Sequence, residues 1–108
     1  MSKSRRTTRR VKTAPRGHYL LRLFTAGDGV NSQKALANIR SLCNQHLKDR
    51  YTIETIDVVK DFPAAIRNNI LVTPTLILVT PRPTVMILGN LSDFPTVLTA
   101  LRVVERKT

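Results

Sequence analysis

The sequence predicts an α/β domain with the element order βαβαββα, and three observations predict it. Segments rich in β-branched and aliphatic residues alternate with segments whose apolar residues recur at helical spacing. The last two strand-like segments, "TLILV" and "TVMIL", are separated only by the proline-rich turn "TPRP", so they read as an antiparallel hairpin. A chain of 108 residues with 42% apolar content supports one modest core and not two.

Tyr19 to Thr25, "YLLRLFT", reads as a buried strand with a polar interruption at Arg22. "AGDG", Ala26 to Gly29, is a turn by composition, and Asn31 or Ser32 is placed to cap the helix that follows. Ala35, Leu36, Ile39, Leu42, Cys43 and Leu47 recur at helical spacing, which puts Cys43 on the apolar face as a small buried hydrophobe. Tyr51 to Val59 is a second strand. Asp61 to Asn69 is a short helix with an acidic cap and a proline in its first turn. Thr75 to Val79 and Thr84 to Leu88 form the hairpin, after which Gly89 and Asn90 break the pattern. Ser92 or Asp93 starts a last helix running to about Arg106, with Phe94, Val97, Leu98, Leu101 and Val104 on one face. A parallel βαβ unit, a crossover helix, a hairpin and a final helix make the thioredoxin topology. In that topology the Thr73–Pro74 step before the third strand is the place of a cis proline.

The net charge of +11 is unevenly placed. Lys3, Arg5, Arg6, Arg9, Arg10, Lys12 and Arg16 bring seven positive charges with no acid among them. Residues 1–17 are expected to be a basic, disordered tail, and 18–106 the folded domain. Such a tail could grip nucleic acid or an anionic membrane through counterion release. A solubilising extension is the preferred reading, because no aromatic residue interleaves with the bases to stack on nucleobases. Nucleic acid and membrane are therefore not expected partners. No apolar run approaches the roughly 20 residues that span a bilayer. Cys43 is the single cysteine, so a reducing, cytoplasmic setting is expected.

The chemistry of a thioredoxin is missing. Its nucleophilic cysteine belongs after the first strand, at a helix N-terminus that lowers its pKa, and here that place reads "TAGDGVNS". A transferase-like use of Ser32 would need a second domain. His18 and His46 stand in no metal spacing, and Asp57 reads as a solvated or capping carboxylate at the end of a strand. No cofactor and no metal are expected, and an enzyme is the weaker class.

Four separated segments carry a family resemblance. "YLLRLFTAGDGVNSQKAL", "IDVVKD", "ILVTPTL" and "ILGNLSD" resemble, in order and spacing, motifs of the KaiB family of bacterial circadian-clock proteins, and the similarity runs from Tyr19 to about Val104. The resemblance implies a non-enzymatic adaptor that docks on the N-terminal ATPase ring of hexameric KaiC. There, family members help sequester KaiA and displace the KaiB-like sensor domain of the kinase SasA. It also implies a second fold: a ground state, usually tetrameric, with the order βαββααβ, beside the monomeric thioredoxin-like state that binds KaiC. Carried over by the resemblance, the partner-facing positions are Arg22, Lys34, Glu54 and Asn69. Those shaping the scaffold or its fold change are Pro74, Pro81, Pro83, Gly89, Ala100 and Arg102.

The chain departs from the family pattern at several of these positions. Glu54 and Asn69 stand where lysines are common, Lys34 keeps a basic residue, and Arg82 interrupts what is often a triple proline. Ala100 replaces a usual glycine and Arg102 a usual aspartate in "VLTALRVV". In a helix interior alanine gains roughly 1 kcal/mol over glycine. A cation near a helix C-terminus adds about 0.3–1 kcal/mol. A helix over Leu91 to Glu105 and a mainly monomeric, thioredoxin-like resting state are the resulting expectations, with a homotetramer as the alternative. A stand-alone relative of the SasA sensor domain, a thioredoxin-like enzyme and a nucleic-acid-binding protein are the competing readings.

Overall fold

The computed structural model describes residues 17–103. Apart from Gly17, the basic tail lies outside the described residues, as do Val104, Glu105 and Arg106 of the expected last helix. The elements are β1 (Tyr19–Thr25), α1 (Val30–His46), β2 (Tyr51–Asp57), α2 (Phe62–Arg67), β3 (Thr75–Thr80), β4 (Val85–Leu88) and α3 (Phe94–Ala100). The order is the expected βαβαββα. The four strands form one sheet in the order β2-β1-β3-β4. β1 pairs parallel with β2 and antiparallel with β3, and β3 pairs antiparallel with β4.

Strand alternation sorts the side chains onto two faces. On one face Leu21, Leu23, Leu76 and Leu78 pack with Ala35, Ile39, Leu42 and Cys43 of α1 and Val97 of α3. On the other, Phe24 and Ile77 pack with Ala64 of α2, flanked by Ile56, Val58, Ile70 and Val79. The first face carries the main core. Among the described residues the second is covered by the six residues of α2 and the segments flanking that helix.

Helix ends account for most of the differences from the sequence reading. The N-cap of α1 is Gly29 and no side chain caps it, so neither Asn31 nor Ser32 is the cap. Ser32 lies inside the helix, where its buried hydroxyl accepts the Ala26 N–H at 3.3 Å and anchors the preceding turn. Asp61 caps α2 and Asp93 caps α3, each by accepting a backbone N–H three residues on. β2 ends at Asp57, short of Val59, because Asp57 turns its carboxylate onto the backbone of the next turn. β3 runs one residue further than expected, to Thr80, and β4 starts one residue later, at Val85.

α2 stops at Arg67 and not Asn69. Asn69 takes φ 57, with Ile70 N–H donating to Ala65 O and Asn69 N–H to Ile66 O. That is a Schellman closure with asparagine in the left-handed position it tolerates well. α3 corrects the expectation of a helix over Leu91 to Glu105. It ends at Ala100 and closes the same way: Arg102 has φ 58, Val103 N–H donates to Leu98 O and Arg102 N–H to Thr99 O. Leu91, with φ 65, precedes the helix and is buried. Ala100 is thus the last helical residue and not an interior one, and Arg102 lies beyond the helix. The interior-propensity gain argued for Ala100 does not apply in full at that position.

Thr73–Pro74 is cis, as the topology predicts, and so are Thr80–Pro81 and Arg82–Pro83 in the hairpin turn. Pro74 is buried, whereas Pro81 and Pro83 are exposed. Gly89 follows β4 with φ 104, a conformation open to glycine, and its N–H donates to Pro74 O at 3.0 Å.

The two faces make a testable contrast. Leu23 has no exposed surface, so Leu23→Ala is expected to cost about 2–5 kcal/mol. Leu88 is 60% exposed, and Leu88→Ala should stay within about 0.5 kcal/mol of the parent. Urea denaturation of both variants checks this.

Candidate functional site

The turn after β1 is held by carboxylate and hydroxyl contacts rather than carrying a thiol. Asp57 Oδ1 accepts the Gly27 N–H at 3.0 Å and the Val59 N–H at 2.9 Å. The bond from Gly27, then that from Val59, lowers the Asp57 pKa below the ordinary carboxylate value. Gly27 sits at φ 59, which the turn requires. Asp57 is therefore the capping carboxylate that its position at a strand end suggests. Cys43 has no exposed surface, and desolvation pushes its thiol up to about 12. His18 Nε2 lies 2.9 Å from Thr52 Oγ1. Among the described residues no group of three or more His, Cys, Asp or Glu is placed to hold a metal ion. No helix among them is long and apolar enough to cross a membrane.

The structure brings two of the sequence-derived partner positions together. Parallel pairing sets Arg22 opposite Glu54, and Arg22 Nε donates to Glu54 Oε1 at 2.7 Å. Both side chains are partly exposed, on the sheet face that carries α2. An exposed pair of this kind adds little stability, about 0–1 kcal/mol. Its consequence is local: the charge of Arg22 is balanced by its neighbour. Asn69 is exposed at the end of α2, where its backbone role as a helix stop is explicit. Lys34 is exposed on α1, the helix that covers the opposite face of the sheet.

A larger feature escaped the sequence reading. Phe62 (64% exposed), Ile66 (61%), Leu71 (91%) and Val72 (50%) form an apolar collar around α2 and the segment leading to Pro74. Phe62, Leu71 and Val72 line an open groove of about 250 Å³ together with Val58, Ala65, Ile70 and Thr73, and Ile66 is not part of its lining. Helical periodicity assigns such residues to a core, but α2 is too short to bury more than one side. Only Ala64 and Ala65 of this helix are buried. The one available signal was the proximity of Phe62, Ile66, Leu71 and Val72 in a short segment that has few partners in sequence. Contiguous exposed apolar surface on a small protein marks an interaction site.

The buried thiol generates a pH prediction. The thiol ionises in the unfolded chain near 9.0 and in the folded chain only near about 12. Its contribution to stability is therefore complete below pH 9.0 and is lost as pH rises towards about 12. Cys43→Ala should lack that part of the slope in denaturation curves taken across this range. The native protein should also resist thiol-specific alkylation and show no disulfide reductase turnover with insulin.

Comparison with known proteins places this geometry. The KaiB domain family matches residues 22–103. The circadian clock protein KaiB3 of Synechocystis is 42% identical over 85 residues, covering 79% of this chain and 83% of that protein. A circadian clock oscillator protein KaiB of Prochlorococcus marinus is 40% identical over 88 residues, covering 82% of this chain and 75% of the relative. Among solved structures, the N-terminal domain of Synechococcus elongatus SasA superposes with a TM-score of 0.68 at 18% identity, covering 94% of this chain and all of that domain. Chloroplastic thioredoxin z superposes at 0.65 with 15% identity, covering 81% and 80% of the two chains. Those structural likenesses are too distant to show more than the thioredoxin-like fold. The family match runs from Arg22 within β1 through the rest of the sheet, the three described helices and the apolar collar, and with it the chain belongs to the KaiB family.

Proposed function

We propose that this protein is a non-enzymatic KaiB-type adaptor that docks on the N-terminal ATPase ring of a KaiC-type hexamer and modulates circadian or stress-timing output. The apolar collar of Phe62, Ile66, Leu71 and Val72 carries this reading. Its large apolar side chains are exposed, and the groove that three of them line reaches Thr73, the residue before Pro74. The supporting chemistry is negative: the turn after β1, where a thioredoxin carries its thiol, is closed by Asp57, and the thiol of Cys43 is buried. A surface without a reacting group, and with apolar contact area to offer, serves binding.

In this reading Arg22, Glu54 and Asn69 border the docking face, and Lys34 makes a separate contact from α1. KaiA-like proteins and SasA-like kinases are partners by competition for the same ring. The working form is the thioredoxin-like monomer in the cytoplasm, formed by residues 18–106, with residues 1–17 as an appended basic segment. The similarity to the SasA N-terminal domain favours a second reading, a stand-alone sensor-like module that binds the same type of ring.

Calorimetric titration against a purified KaiC-type ATPase tests the proposal. Binding is expected, and Phe62→Ala or Leu71→Ala should weaken it about tenfold or more without loss of folding, as for central apolar anchors. Deletion of residues 1–16 should leave affinity nearly unchanged. A protein that binds no such ATPase, or binds equally well with both anchors truncated, overturns the reading. Capture of a histidine kinase core in place of the ring would instead favour the sensor-like module.

A further inference from the structure

We propose that the outward face of α1, together with the basic segment that enters the fold beside its C-terminal end, is a binding surface for the phosphate backbones of double-stranded DNA. The net charge of +11 is gathered in one stretch of the chain. Residues 1–48 hold eleven Lys and Arg and one acid, Asp28, whereas residues 49–108 hold seven and six. The fold carries that imbalance onto one surface. α1 contains no Asp or Glu, and its apolar side is buried. Its solvent side presents Lys34 and Arg40 among Gln33, Ser41 and Gln45, and Lys48 is exposed just beyond its end. Asp28 and Asp49 flank the helix in sequence and leave its face without a carboxylate of its own. Residues 1–16, with seven of the eleven basic residues, join the fold at the same end as Lys48. There Gly17 O accepts from Arg50 Nη1 at 3.4 Å, and Tyr19 N–H donates to Arg50 O at 2.8 Å.

The chemistry of the surface selects the partner. Duplex DNA carries one negative charge per about 1.7 Å of its axis, and cations that neutralise its phosphates release counterions. Seven of the eleven basic residues are arginine, whose planar fork matches phosphate oxygens. The exposed amides and hydroxyl of α1 add uncharged groups of the kind that also contact phosphate. With 17 residues α1 is about 25 Å long, and a B-DNA major groove is about 12 Å wide, so the helix can reach phosphates on both banks. No aromatic residue lies among residues 1–16, which denies a single strand its stacking platform. The expectation that set nucleic acid aside concerns that stacking, and a duplex, with its bases stacked inside, needs none. An anionic membrane is the poorer fit, because a basic surface that lies in a bilayer interface also buries apolar side chains. Of the large apolar residues of α1 only Val30 is exposed, and residues 1–16 add only Met1 and Val11. α1 and the apolar collar lie on opposite faces of the sheet, so the collar stays free when a duplex lies on α1.

Fluorescence anisotropy of a labelled DNA duplex of about 20 base pairs, titrated with the full-length protein across about 50–200 mM salt, tests the surface. Binding is expected, and it should weaken steeply with salt as counterion release requires. Arg40→Gln combined with Lys48→Gln removes two phosphate contacts from exposed positions. The log–log salt slope should then become shallower by about two, and deletion of residues 2–16 should reduce it further still. A duplex that stays unbound at about 50 mM salt overturns the proposal. So does a double variant with the salt slope of the parent, since α1 would then have no part in binding. Tighter binding to a single strand of the same length, or to vesicles of phosphatidylserine and phosphatidylcholine, than to the duplex overturns it as well. Should circular dichroism show the double variant unfolded, Lys48→Gln alone decides: a slope shallower by about one supports the surface, and an unchanged slope overturns it.

Discussion

The structure depends on β1 being buried on both of its faces. Leu21 and Leu23 point into the main core beneath α1 and α3, while Phe24 points into the smaller cluster beneath α2, and none of the three is exposed. β1 is also central in the plane of the sheet, parallel to β2 and antiparallel to β3. Both of its backbone edges are thus satisfied within the sheet, and both of its faces are desolvated. Such a strand tolerates apolar residues at nearly every position, which is why "YLLRLFT" lacks clean alternation. Arg22 is the exception, and its partly exposed charge is paired with Glu54.

The asymmetry between the two layers leaves apolar side chains exposed on one of them. Among the described residues two helices cover one face of the sheet and a single short helix covers the other. Apolar residues needed to build α2 and its flanks therefore outnumber the places where they can be buried. Val58 and Ile70 find partial shelter, but Phe62, Ile66, Leu71 and Val72 do not. The opposite layer offers no comparable patch among the described residues, since α1 turns its apolar stripe inward. A scaffold whose relatives in fold perform thiol chemistry here keeps the proline and the turn, and fills the reactive place with a carboxylate that only holds backbone.

Chain reversals follow a common rule. α2 and α3 each begin with an aspartate cap and a proline in the first turn, and each ends in a left-handed residue that closes a Schellman motif. The two stops differ in chemistry. Asn69 suits its conformation and leaves its side chain exposed, whereas Arg102 accepts an unfavourable conformation and spans to the hairpin turn. A helix end of the second kind ties secondary structure to tertiary structure, because the residue that stops the helix also fixes what the helix packs beside.

The sequence by itself determined the order of elements, the hairpin, the acidic cap of α2, the inward face of α1 with Cys43, and the absence of a thiol after β1, and it narrowed the cap of α3 to Ser92 or Asp93. These are local properties: periodicity, capping chemistry and composition act over a few residues and are written in the order of the chain. It also carried the family resemblance, because four motifs keep their spacing. What only the tertiary structure decided is where long-range partners meet. Strand register set Arg22 against Glu54 across a sequence separation of 32. Packing decided that α1 starts after Gly29, with Ser32 drawn inside to hold the turn. Apolar spacing extended α3 through Leu101 towards residue 106, yet the helix ends at Ala100, with Arg102 left-handed and its guanidinium on the carbonyls of Pro81 and Pro83. The exposure of the α2 collar was equally invisible, because spacing tells which residues share a side of a helix and not whether anything lies against it. Burial is a property of the whole fold, set by which layers exist to cover which faces.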